Sequence, residues 1–356
     1  MKFGAALRSH GLVPAPEETT LAKISTPCAF AIFENTCAEW MIAAQGCFSQ
    51  SIIVTTIYAT LGMEAVIDAV NDGIISAILC NKTNVKVLAG RVEEMKSLKT
   101  IIYTNDYIAP GVNIEIPDAP RGVKIVSYDD FVASGSTDEY PPTPPAADTC
   151  AVIMYTSGST GKPKGVVLTH ANVVASVAAA HVALGIKEGE DTYLGYLPLA
   201  HILELMAEFC MISLGCAIGY GCPKTLTTSG SYPIGAIDEF KPTLMAAVPK
   251  IWDIIKKAIE GKIAKESPVV QFLFKTGFEA RSFAIAHGYD TPLFHKILFK
   301  KMEAVLGGRM RLAISGGGPL NSEVQEFVRT NFGIPLIQGY VSVLFCVQFS
   351  PFRSST

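Results

Sequence analysis

Short β-branched runs and helical segments take turns along this chain, and that alternation restricts the fold more than any other feature. Residues 52–57 (Ile-Ile-Val-Thr-Thr-Ile) read as a buried strand, 63–70 as a helix ending near Gly73, 74–79 as a strand, 85–98 as a helix and 100–103 as a strand. Strand, crossover helix and strand in succession imply a parallel sheet with right-handed connections. Residues 38–48 read as an amphipathic helix with Asn35 or Thr36 as N-cap, the first recognisable helix. The rhythm resumes later, with helices expected over 171–184, 202–214, 250–259 and 322–330 and extended segments over 193–199, 217–220, 243–248, 311–314 and 335–337. The expected fold class is α/β with two parallel-sheet lobes, and Tyr140-Pro141-Pro142-Thr143-Pro144-Pro145 reads as a stiff linker between them.

Composition narrows the class. Charged residues are 17% of the 356 and mean hydropathy is +0.33, which fits an apolar soluble protein or one that touches membrane. A net charge of -3 with no basic run argues against a nucleic-acid partner. The nine cysteines lack a C-x-x-C pair and do not cluster with histidines, so they read as reduced thiols without a metal or disulfide role. Residues 41–63 carry no formal charge, but Gln45, Gln50 and the β-branched run favour a helix and a strand over a membrane span. No signal peptide is visible, because Lys2 and Arg8 interrupt the amino terminus.

The chemistry concentrates in Tyr155-Thr156-Ser157-Gly158-Ser159-Thr160-Gly161-Lys162-Pro163-Lys164-Gly165-Val166. Glycines let backbone N–H groups approach phosphate oxygens, hydroxyls add donors, and lysines add compact positive charge. A Walker A loop is excluded because Pro163, not Ser or Thr, follows Lys162. The apolar runs on either side make this a loop between two strands, with a helix beginning only after Thr169 or His170. From the residues alone, it is a nucleotide-triphosphate site.

Three further strings lie at strand ends, where open α/β sheets bind ligands. Leu197-Pro198-Leu199-Ala200-His201 leads into a helix, Ser315-Gly316-Gly317-Gly318-Pro319 leads to Asn321 as N-cap, and Gln338-Gly339-Tyr340 ends the last strand. A lone histidine in such a place is more often a hydrogen-bonded structural residue than a catalytic one, and three glycines also make a plain tight turn. Trp252 in Val248-Pro249-Lys250-Ile251-Trp252 reads as core. Together with the phosphate loop, these strings resemble the adenylate-forming superfamily, and within it the long-chain acyl-CoA synthetases, from about Phe33 to Tyr340.

The resemblance implies an ATP-dependent ligase that converts a long-chain fatty acid to acyl-adenylate and then to acyl-CoA, with ATP, Mg²⁺ and CoA taking part. It implies that Thr156, Ser157, Gly158, Ser159, Thr160, Gly161 and Lys164 hold phosphate, with Thr156 at the metal and Lys164 supplying catalytic charge. It further places Gly316, Gly317, Gly318, Pro319, Gln338, Gly339 and Tyr340 around the adenylate, and His201 between acyl tunnel and nucleotide as a positioning group. Peripheral membrane contact, at the cytoplasmic face of an organelle or from the cytosol, is implied in the same way.

The chain also departs from the family pattern. After Tyr340 the family continues into Gly-Leu-Thr-Glu-Thr, whose glutamate helps hold magnesium, whereas here Val341-Ser342-Val343-Leu344 follows. Residues 1–340 are therefore expected to be an AMP-binding domain incomplete at both ends, without the small C-terminal lid domain, and 341–356 a tail outside the family pattern. Val341-Ser342 can be encoded as an intron donor, an expectation that sequencing the transcript across the Tyr340 codon tests. Two alternatives stay open: a non-catalytic nucleotide-binding remnant, and an adenylating enzyme for another carboxylate.

Overall fold

The computed structural model describes residues 1–14, 28–59, 61–109, 111–156, 164–228, 231, 233–289, 291–342 and 346–350. The chain divides into two units, one of residues 1–175 with 198–202 and the other of residues 176–197 with the chain from 203 onward.

Unit 1 is built on a seven-stranded sheet. Its strands are β1 (Ala29–Phe33), β2 (Ile53–Thr56), β3 (Ala77–Asn81), β4 (Thr100–Thr104), β5 (Lys124–Ser127), β6 (Cys150–Thr156) and β7 (Lys164–Thr169), in the order β5-β4-β3-β1-β2-β6-β7. All neighbours are parallel except β6 and β7, which form an antiparallel pair. The helices α1 (Lys2–Ser9), α2 (Ala38–Phe48), α3 (Met63–Asp72), α4 (Lys82–Gly90) and α5 (Tyr128–Ala133) accompany it, and α6 (His170–Leu184) carries the chain into unit 2. Beta-branched and apolar side chains fill both faces of the inner strands, so β1 and β3 are buried along their whole length, as a parallel sheet with covered faces requires.

Several boundaries differ from expectation for identifiable reasons. The helix expected over 85–98 starts at Lys82, because the Asn81 side chain accepts from Thr83 N at 3.1 Å and caps it. It stops at Gly90, and Arg91 turns away to bond Glu64 and Glu94. The N-cap of α2 is Cys37 and makes no side-chain cap bond. Asn35 donates instead to Glu34, and the Thr36 hydroxyl accepts from Leu199 N at 2.9 Å. α1 and β1 precede the first helix the sequence made recognisable. A Cβ on Gly4 would stand 2.1 Å from Gly46 O, so glycine is what lets α1 lie directly on the backbone of α2.

The proline-rich stretch 140–145 does not pass between lobes. Both of its flanks belong to unit 1, and Gln50 Nε2 donates to the carbonyls of Tyr140 and Pro141 at 3.0 Å each. Ser51 Oγ donates to Thr143 O at 2.7 Å, and Thr143 N donates to Ser49 O at 2.8 Å. Proline removes donors but leaves carbonyls, and the α2–β2 turn supplies donors to them.

Unit 2 holds a six-stranded sheet of β8 (Thr192–Gly195), β9 (Ala217–Tyr220), β10 (Leu244–Ala247), β11 (Leu312–Gly316), β12 (Leu336–Ser342) and β13 (Cys346–Ser350), in the order β13-β12-β11-β10-β8-β9. The first five are parallel, and β13 returns antiparallel to β12. Its helices are α7 (Ile202–Ser213), α8 (Ala236–Phe240), α9 (Pro249–Ile263), α10 (Pro268–Ala286), α11 (Pro292–Phe294), α12 (Lys300–Glu303) and α13 (Ser322–Phe332), with a π turn (His295–Phe299) joining α11 to α12. Trp252 is a fully buried core residue, as expected, among Leu244, Met245, Ile314 and Val328. Burial of a large apolar side chain of this kind contributes about 1.5–3 kcal/mol.

Candidate active site

In unit 1 the carboxyl ends of the parallel strands gather the polar groups. β6 ends at the carboxyl edge of the sheet at Thr156, which pairs with Lys164 at the start of β7. Ser157, Gly158, Ser159, Thr160 and Gly161 lie outside the described residues, as do Lys162, Pro163 and the side chain of Thr156. Lys164 is exposed.

The segment containing His201 belongs to unit 1 although its neighbours on both sides belong to unit 2. Leu199 N donates to Thr36 Oγ1 just beyond β1, and Thr36 O accepts from Tyr107 OH at 3.0 Å. His201 N donates to Pro198 O at 2.8 Å, and the His201 ring meets Tyr58 edge-on at 6.4 Å between centroids. Burial holds the imidazole below the usual histidine range, so it is neutral at pH 7. At the same edge burial pushes the Glu34 carboxyl up to about 7, although Thr104 Oγ1 and Asn35 N both donate to it.

In unit 2, Gly316 and Gly339 are partners at the carboxyl edge of β11 and β12. A Cβ on Gly316 would stand 2.9 Å from Leu203 Cδ2 and 3.3 Å from Gly339 O. Gly317 takes a φ of +81°, and Gly317, Gly318 and Pro319 are exposed. Asn321 accepts from Glu323 N and caps α13, as expected. The amide of Gln338, a residue expected at the nucleotide, donates to Gln325 Oε1 of α13 at 3.1 Å. Tyr340 has its backbone in β12, opposite Gln348, and its side chain is outside the described set.

Two features of this unit went unread in the sequence. A narrow apolar slot with a free volume of only about 20 Å³ lies between α6, α7 and the sheet, lined by Ala180, Leu184, Tyr193, Leu203, Met206, Ala207, Cys210, Met211, Leu244 and Ile314. Leu203 thus borders both the slot and Gly316. Beside it are two fully buried carboxyls, Glu204 and Glu208, bonded by Tyr193 OH at 2.8 Å and Tyr220 OH at 2.7 Å. Burial, then Glu208, holds Glu204 well above the usual carboxylate range, and burial pushes Glu208 up to about 8. The available signal was a Glu-x-x-x-Glu spacing inside an otherwise apolar helix.

Among the described residues no three His, Cys, Asp or Glu side chains come together to hold a metal ion. Thr156, expected at the metal, has its side chain outside the described residues.

Solved structures share this architecture. The adenylation and carrier didomain of a carboxylic acid reductase from Segniliparus rugosus, in complex with AMP, superposes with a TM-score of 0.70 at 17% identity, over 96% of this chain and 44% of that one. A long-chain-fatty-acid-CoA ligase from Archaeoglobus fulgidus does so with 0.67 at 16% identity, over 98% and 56%. These likenesses establish the fold: the large N-terminal domain of adenylate-forming enzymes. The chain belongs to the AMP-binding enzyme family, which it matches over residues 21–341. It is 39% identical over 322 residues to long chain acyl-CoA synthetase 8 of Arabidopsis thaliana, covering 87% of this chain and 44% of that protein. It is 34% identical over 320 residues to long-chain-fatty-acid–CoA ligase 2 of Schizosaccharomyces pombe, covering 89% and 46%. The chain spans about half the length of these relatives.

Proposed function

We propose that this chain carries the nucleotide- and acyl-binding part of a long-chain fatty acid–CoA ligase. In that reaction a fatty carboxylate oxygen attacks the α-phosphorus of ATP, a P–O bond forms, and pyrophosphate leaves. The CoA thiolate then attacks the acyl carbonyl carbon, the thioester C–S bond forms, and AMP leaves. The observation that carries the reading is the 39% and 34% identity to a long chain acyl-CoA synthetase and a long-chain-fatty-acid–CoA ligase; the narrow apolar slot, whose wall Leu203 ties to the glycine-lined edge, is consistent with it. Methylene groups would be stabilised by such walls by about 0.8 kcal/mol each once the slot widens to admit them.

Catalysis of this kind rests on positioning and on charge around phosphate. In this proposal, within unit 1, Lys164 supplies positive charge to phosphate, the loop hydroxyls donate to phosphate oxygens and the neutral His201 orients a carboxylate; within unit 2 the glycine edge admits an adenylate. Magnesium, when bound, would add charge neutralisation at the phosphates. The test is ATP–pyrophosphate exchange with palmitate, benzoate and phenylalanine in parallel. Exchange stimulated by palmitate alone supports the reading, and exchange with either of the others overturns it. Val341-Ser342-Val343-Leu344 where the family has Gly-Leu-Thr-Glu, which puts a leucine in the glutamate's place, favours a second reading, a chain that binds nucleotide without turnover. That reading expects ATP binding with no exchange for any acid.

A further inference from the structure

The strand order of unit 1 reverses once. From β1 the chain runs to β2 on one side and from β3 it runs to β4 on the other, so β1 and β3 are adjacent strands whose connections part. The crevice beyond the carboxyl ends of two such strands is where open α/β sheets take ligands. Groups at these ends are tied together. Thr36 lies just after β1, and its carbonyl accepts from the hydroxyl of Tyr107, just after β4, at 3.0 Å. Asn81, the last residue of β3, donates from Nδ2 to Asp106 O at 2.8 Å. Tyr107 takes a φ of +56°, a strained conformation for a residue with a Cβ, and such a conformation persists only where its surroundings hold it.

Against this frame the chain lays residues 198–202, a short piece of unit 1 whose neighbours on both sides belong to unit 2. Leu199 is 1% exposed, and its N–H donates to Thr36 Oγ1 at 2.9 Å, an oxygen on a residue that is itself 6% exposed. A buried N–H deprived of its acceptor has no water to turn to, so the segment must shift to satisfy it. Two residues further on, His201 donates from its backbone N to Pro198 O and sets its ring edge-on to Tyr58. The seat of Leu199 therefore fixes the place of the imidazole.

We infer that Thr36 is a positioning residue for His201: its hydroxyl oxygen seats residues 198–202 in the crevice between β1 and β3 and so sets where the imidazole meets a fatty carboxylate. Only the last clause rests on the ligase reading; the seating stands without it. The ring itself reports the seating, because burial is what holds its pKa below the usual histidine range. Tyr58, the titratable side chain against the ring, is pushed up to about 12 by burial and carries no charge at neutral pH.

The experiment titrates the six histidines of the ligand-free 356-residue chain by NMR of labelled Cε1, with the His201 signal identified by its loss in H201Q. T36V keeps the shape of the side chain and removes the acceptor. In it the His201 midpoint should rise toward the ordinary histidine value, while His10 and His170, also held low chiefly by burial, keep theirs. T36S should restore the His201 midpoint. Should T36V lose its melting transition, T36A, which removes the oxygen without filling its place, is titrated instead. In palmitate-dependent ATP–pyrophosphate exchange, T36V should need about tenfold or more palmitate for half-maximal rate, with the requirement for ATP unchanged. The inference is overturned by an unmoved His201 midpoint, by a rise at all three histidines, which marks general loosening, or by T36S failing to restore it. A moved midpoint with the palmitate requirement unchanged also overturns it. If the unsubstituted chain exchanges with no acid, the ligase reading fails, and the His201 titration alone decides whether Thr36 seats the segment.

Discussion

Glu204 and Glu208 turn their Oε1 atoms toward one point: a Cβ added to Gly195 would stand 3.3 Å from the first and 2.8 Å from the second. Neither Oε1 has a hydrogen-bond partner, and both side chains are wholly buried. Two carboxylates cannot both ionise there without water, so the pair retains a proton at neutral pH.

That proton makes stability depend on pH. Both folded values are raised, Glu208's to about 8, so the folded chain binds more protons than the unfolded chain between about 4.5 and 8. The contribution is fully present below the unfolded value and is lost as pH rises through the folded one. We expect denaturant-measured stability to fall from pH 5 to pH 8, and E208Q to flatten that slope and gain about 1–3 kcal/mol at pH 8. A slope unchanged in E208Q would assign the pH dependence elsewhere.

Lys164 is exposed at the base of the phosphate loop, so K164A should leave the melting temperature within about 1 °C and weaken ATP binding about 10- to 100-fold by calorimetry. Equal affinity in the two proteins would remove Lys164 from the site.

At Gly317 the φ of +81° is the left-handed region, in which a Cβ is strained. G317A is expected to cost about 1–2 kcal/mol in chemical denaturation and to reduce nucleotide affinity, because the loop must reshape where it should face ligand. A fully stable variant with normal affinity would show that the turn has no special role.

The slot wall gives a prediction about substrate size. Ala180 is buried and lines the slot, so A180F should shift preference from palmitate toward shorter acids in the exchange assay while leaving benzoate inactive. An unaltered chain-length profile would place the acyl group elsewhere.

Much of the scaffold was legible because its signals are local. The helix at Ala38–Phe48 and the strand at Ala217–Tyr220 have the limits their apolar patterns give. α1 escaped because its burial comes from tertiary contact, with Gly4 and Gly46 permitting the approach, and because its apolar pattern spans only eight residues. α10 escaped because its phenylalanines face two ways, Phe278 to the core and Phe272 and Phe283 outward, which erases a helical period. At the site, the glycine edge and the Asn321 cap were readable as strings. The direction of Gln338 was not, since only the approach of α13 supplies Gln325 as its partner. The acid pair was hidden for a similar reason, because only the packing of α7 on the sheet brings Tyr193 of β8 and Tyr220 of β9 to it.

The bond from Leu199 N to Thr36 Oγ1 joins residues 163 positions apart within one unit. Unit 1 is therefore not a contiguous stretch of chain. A ribosome that has delivered residue 175 has still not delivered the five residues that bring His201 to the sheet, and it must first synthesise 176–197, which belong elsewhere. The Thr36 hydroxyl waits through that interval, so the last piece of the first unit arrives only after the second has begun to be made.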